Sequence, residues 1–109
     1  MKTNLNVWIH CRINPHSPNA LLNYQYDELS KFAKQQDMQI VGATKIISDG
    51  KFMDNFSYRS MITCIRRNRV DAILMYSPLR ISIYPDLYEE FKLFCKLNKV
   101  SVICLCDFE

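Results

Sequence analysis

Two arginines stand where charge could be put to chemical use. Arg12 closes the first strand-like run of the chain, and Arg80 lies in the loop after the third. Two guanidiniums converging on one point suit the oxygens of a phosphate or another anion. Arginines at loop starts are more commonly plain surface charge, so the pair matters only if the fold brings both together. His10 shares the strand face of Arg12 and reads as a packed or hydrogen-bonded imidazole rather than an acid or base. Cys11 falls on the apolar face. Cys104 and Cys106 share one strand face, too close to clip a metal without outside ligands. The chain has five cysteines and no C-x-x-C pair, and His10 and His16 lack partners at zinc-finger spacing. Reduced, core-type thiols are therefore expected, with no metal and no cofactor. A basic run, Arg66-Arg67-Asn68-Arg69, could touch a nucleic-acid backbone, and a helix end balancing its dipole explains it equally well.

These residues must be positioned by elements, and the sequence marks them out. Leu5, Val7, Ile9, Cys11 and Ile13 alternate with polar neighbours and trp-bearing position 8, a period-two strand. Ser17-Pro18 has the form of a helix start, with serine capping and proline in the first turn. Leu22, Tyr26, Leu29, Phe32 and Ala33 then line one face of a helix over about 18–36. A β-branched strand covers 38–47, and Ser48-Asp49-Gly50-Lys51 breaks it. A second helix is expected over about 55–68, its buried face marked by Tyr58, Met61, Ile62 and Ile65. The nearly all-apolar run 70–76 has the character of a central strand covered on both faces. A third helix starts near Pro85 with Leu87, Tyr88, Phe91, Phe94 and Cys95 inward, and 100–105 is the last strand. The order β-α-β-α-β-α-β implies an α/β fold of three layers, a mostly parallel sheet between helices. Ligands of such sheets sit at the carboxyl ends of the strands, which selects 12–14, 48–51, 77–80 and 104–106.

Composition closes off several functions. The chain has 109 residues, 49% hydrophobic and 23% charged, ordinary values for one globular domain. No apolar run approaches the ~18 residues of a membrane span, and the polar N-terminus has no signal-like stretch. A cytoplasmic protein without membrane contact is expected. The net charge of +3 permits nucleic acid without demanding it. The aromatics fall at core spacings rather than among lysines, weak support for a single-strand stacking platform. The two glycines, Gly42 and Gly50, are too few for the glycine-rich loops that cradle nucleotide phosphates.

Several segments, in order and spacing, resemble the catalytic domain of serine recombinases, the resolvases and invertases. That family opens with a strand ending Arg-Val-Ser, whose serine attacks DNA phosphate, and the equivalent here is Arg12-Ile13-Asn14. A glutamine near the start of the first helix corresponds to Gln25. The loop D-x-G-x-S-x-x-R corresponds to Asp49-Gly50 with Asp54-Asn55. The strand D-x-[VIL]-[VIL]-[VIL]-Y corresponds to Asp71–Tyr76, and the loop D-R-[LF]-[SG]-R to Leu79-Arg80-Ile81-Ser82-Ile83. The resemblance spans about Asn6 to Leu105 and implies a resolvase-type fold with Arg12, Arg80 and Gln25 as anion- or phosphate-binding residues.

The departures bear on activity. Asn14 stands in the nucleophile's place, and a carboxamide cannot form a phosphoseryl link. The family's other arginines fall at Asn55 and Ile83, and its aspartate at Leu79. Charge on a transferring phosphoryl group is stabilised by clustered cations, so the resemblance implies a site that has lost its chemistry. Ser17, Ser77 and Ser82 are the hydroxyls nearby, and none has an evident activating base. The expectation is a single resolvase-like domain over 1–109, lacking the long dimerisation helix and DNA-binding domain, catalytically inactive and acting through a recombinase or another DNA-processing protein of a mobile element. A homodimer and weak DNA binding through Arg66, Arg67 and Arg69 remain open. So do two alternatives: a phage or mobile-element binding or inhibitor protein on the same fold, and an active phosphoryl-transfer enzyme using Arg12 and Arg80.

Overall fold

The computed structural model describes residues 4–51 and 58–108. Its first strand, β1 (Asn6–Ile13), alternates as the sequence indicates, yet both of its faces are covered. Val7, Ile9 and Cys11 pack with Leu29 and Ala33 of helix α1 (Ala20–Gln35). Trp8 faces the other way, into a larger core with α2 (Tyr58–Arg66) and α3 (Pro85–Leu97). His10 and Arg12 are therefore buried despite their polarity. The cause is topological. β1 lies between β2 (Gln39–Ile47) and β3 (Ala72–Met75), and β4 (Ser101–Cys104) completes the order β2-β1-β3-β4. The three pairings are all parallel, so the described sheet is wholly rather than mostly parallel. Helix α1 covers one face, and α2 and α3 the other, in the three layers expected.

The apolar run at 70–76 is a central strand, and every residue of β3 is buried, as a parallel strand covered on both faces requires. β2 is an edge. The pairing slips between Val7 and Trp8, which leaves Val41 as an extra residue, a bulge that twists the edge. Beyond it the Trp8 ring lies across Gly42 so closely that a Cβ would overlap it. The indole nitrogen donates to Thr44 Oγ1 at 2.5 Å.

One local reading is corrected. Ser17 does not cap α1. Its amide donates to the Asn14 carbonyl in a turn that follows β1, and the helix begins three residues later at Ala20, behind Asn19, which makes no side-chain cap bond. A cap works through a side-chain oxygen that accepts the amides of the first turn, and the cap position of this helix falls on Asn19 instead of Ser17. The ends of the helices hold a feature the sequence reading did not include. Asp37, Asn68 and Lys99 all have positive φ (56°, 54° and 61°). Each is followed by an amide that bonds back across the helix end: Met38 to Ala33, Arg69 to Cys64 and Val100 to Cys95. These are glycine-type C-terminal motifs built without glycine.

Candidate functional site

The carboxyl ends of β1, β2 and β3 meet at the Arg12 side chain, which is 2% exposed. Nη1 donates to Asn14 Oδ1 at 2.9 Å and to the Ser48 carbonyl at 2.8 Å. Nη2 donates to the Leu79 carbonyl at 2.7 Å. One guanidinium thus joins the loops after all three strands. Gly50 lies against it, since a Cβ there would stand 2.6 Å from Arg12 Cζ, and its φ of +76° suits glycine. The Gly50 carbonyl accepts the Ile83 amide at 2.8 Å, which ties the second loop to the third.

Arg80 returns the connection. Its Nη1 donates to the Arg12 carbonyl at 3.0 Å, and its own carbonyl lies 2.7 Å from His10 Nε2. A carbonyl only accepts, so Nε2 carries the proton and Nδ1 is a bare lone pair. The two arginines are thus joined through the Arg12 backbone, and Arg12 is not surface charge. His10 is the packed, hydrogen-bonded imidazole expected. Burial, and next the nearby charges of Arg12 and Arg80 against the opposing pull of the Arg80 carbonyl, lower its pKa from 6.5 to about 4. Burial first and Arg80 second lower the pKa of Arg12 as well.

Gln25 is brought into the site in a role other than anion contact. Its Oε1 accepts the Arg12 amide at 3.2 Å, and its Nε2 donates to the Arg12 carbonyl at 2.9 Å. Both ends of the carboxamide are used on backbone, where α1 supplies what a neighbouring strand otherwise would. Asn14 is exposed at the rim. Ser82 is buried, its Oγ accepting the Tyr84 amide and donating to the Lys51 carbonyl. Neither it nor Ser17 nor Ser77 has a hydroxyl bonded to either guanidinium. Leu79 is exposed at 55% and contributes only its carbonyl, and Ile83 is exposed and neutral. Asp54 and Asn55 lie outside the described residues.

Tyr58 is the site residue that the sequence reading placed only in the core. Its ring is tilted at 40° to that of His10 with centroids 5.3 Å apart. Burial raises the pKa of its hydroxyl while the charge of Arg12 opposes this. Among the described residues four buried polar atoms have no partner: His10 Nδ1, Arg12 Nε, Arg80 Nε and Tyr58 OH. All four belong to this one cluster. Helical spacing could indicate only that Tyr58 faced inward, because nothing local says which strand end it meets.

The basic run is elsewhere. Arg66, Arg67 and Arg69 are exposed at the end of α2, which leads directly into the start of β3. They stand at the opposite end of the sheet from the arginine cluster. The Arg66 guanidinium lies 5.8 Å from the centroid of the Phe94 ring. The cysteines form no metal-ligating group with histidine or carboxylates among the described residues, and Cys11, Cys95 and Cys104 are buried. No helix among the described residues is long and apolar enough to cross a membrane.

No family profile and no curated protein matches the chain. Solved structures do. The C-terminal catalytic domain of ISC1926 TnpA, an IS607-like serine recombinase, superimposes with a TM-score of 0.86 at 16% identity, over 93% of this chain and 70% of that one. The N-terminal catalytic domain of TP901-1 integrase matches with a TM-score of 0.80 at 23% identity, over 94% and 78%. A resolvase family site-specific recombinase from Streptococcus pneumoniae matches with a TM-score of 0.76 at 17% identity, over 95% and 74%. The chain has the fold of serine recombinase catalytic domains, as its strand-end motifs imply.

Proposed function

We propose that this chain is a degenerate serine-recombinase catalytic domain that takes part in DNA recombination or in the traffic of mobile elements without cutting DNA. The observation that carries the reading is Asn14. It sits at the end of β1, where the resemblance puts the attacking serine, and its carboxamide oxygen accepts from Arg12. A phosphoryl transfer needs a nucleophile whose proton can be removed, and a carboxamide offers none. The electrostatic side is reduced too. Three of the acceptors around Arg12 are parts of the protein itself, so its Nη hydrogens serve the loops before any substrate.

Arg80, less deeply buried than Arg12, is the cation left toward the surface at these strand ends, and an anion such as a backbone phosphate is the ligand class it suits. What remains is a scaffold for contact with another protein, a functional recombinase or another DNA-processing protein. Incubation with supercoiled and nicked DNA, followed by denaturing electrophoresis, tests the reading. The expected result is no covalent protein–DNA adduct. An adduct overturns it, and phosphoester turnover lost in Arg80→Ala would establish the enzymatic alternative instead.

A further inference from the structure

The far edge of the sheet carries a second surface, unconnected with the arginine cluster. Among the described residues β4 pairs only with β3. Ser101 turns its amide inward, to the Asp71 carbonyl at 3.0 Å. Backbone groups alternate in direction along a strand, so the N–H and C=O of Val102 face the open side. Beside them lies a cleft of about 450 Å³ lined by Lys92, Lys96 and Lys99 with Val100, Ser101 and Val102. The three lysines are exposed. Lys92 and Lys96 stand four residues apart on α3, and Lys99 follows in the turn that leads from the helix to β4. The acidic residues of the helix, Asp86, Glu89 and Glu90, precede these lysines and do not line the cleft.

We infer that the β4 edge is a docking site for an extended acidic segment of a partner protein, added as a further strand with its carboxylates on Lys92, Lys96 and Lys99. The repeat distances agree. Four residues of helix advance about 6 Å, and two residues of strand about 6.6 Å, so acidic residues at alternate positions of the incoming strand match the step from Lys92 to Lys96, while Lys99, past the helix end, borders the start of β4. The open backbone of Val102 favours a peptide over a nucleic acid, since a strand edge gives its hydrogen bonds to another backbone. A second copy of β4 is disfavoured because it would set three lysines against three. The other edge, β2, is twisted by the Val41 bulge and has no such row.

The test uses a fluorescent ten-residue peptide of alternating Glu and Val, its valine-N-methylated form, an alternating Lys and Val peptide, and a DNA duplex. Anisotropy at low salt measures binding, and amide hydrogen exchange reports on Val102. Two variants separate charge from backbone. The first is Lys92→Gln with Lys96→Gln and Lys99→Asn, where asparagine tolerates the positive φ. The second is Val102→Pro, which removes the outward N–H and spares the pairing with β3. Circular dichroism verifies that both fold. The acidic peptide alone is expected to bind and to slow exchange at Val102. Each variant, and N-methylation, should weaken binding about ten-fold, the size of three exposed ion pairs or one lost backbone bond. No binding of the acidic peptide, binding indifferent to either variant, or tighter binding of the duplex through the same lysines overturns the inference.

Discussion

Arg12 shows how one residue can be both the most chemically suggestive in a chain and a structural strut. Bringing a guanidinium into the interior costs several kcal/mol unless its hydrogens are satisfied. Here the carbonyls of Ser48 and Leu79 and the carboxamide of Asn14 take that part. The neighbouring His10 has a consequence for stability. Its folded pKa of about 4 lies below the 6.5 of an unburied imidazole, so the unfolded chain binds the proton more readily. Stability is then complete above pH 6.5 and falls as the pH drops toward 4. Between pH 7 and pH 5 the loss should be about 2 kcal/mol. Urea denaturation at the two pH values measures it, and His10→Asn should flatten the difference.

At the scale of elements, function and fold meet in the loops. The loop after β2 must pass over the Arg12 guanidinium, and Gly50 permits it through its missing side chain and its φ of +76°. Gly50→Ala would introduce both a left-handed alanine and an overlap with Arg12. The expected cost is about 2 kcal/mol, read as a lower urea midpoint with an unchanged slope. The helix ends show the converse. Asp37, Asn68 and Lys99 adopt the left-handed conformation without glycine, so no glycine stop signal marks these ends along the chain. The lysine row of α3 and the arginines of α2 also belong to this scale. Each spans a helix end, with Lys96 and Arg66 in the last turns, where the dipole favours cations, and Lys99, Arg67 and Arg69 just beyond, and only their neighbours distinguish them. The lysines border an open strand edge, while Arg66 lies over the ring of Phe94.

The whole molecule has a radius of gyration of 13.1 Å, close to the roughly 13 Å of a single domain of this length. Two cores on either side of one sheet divide the cysteines by depth. Burial raises the pKa of Cys11 and Cys95 to about 12 and moves Cys104 upward as well. Cys64 and Cys106 are only half-buried. Alkylation with iodoacetamide at pH 8, followed by mass spectrometry, should modify Cys64 and Cys106 first. Cys11, Cys95 and Cys104 should react at least about ten-fold more slowly until the chain is unfolded, because the thiolate is the reactive form.

The periodicity of apolar residues was enough to determine the order of strands and helices, the central place of β3 and the parallel sheet, since burial on one or two faces imposes those patterns locally. It also placed Arg12 and Arg80 at strand ends. Tertiary structure alone decided what they do there. That Gln25 serves the Arg12 backbone, that Tyr58 reaches His10, and that the alternate face of β1 is buried all depend on elements distant along the chain becoming neighbours. A hydrogen bond between residues separated by tens of positions leaves no periodic trace, whereas the burial of a face does.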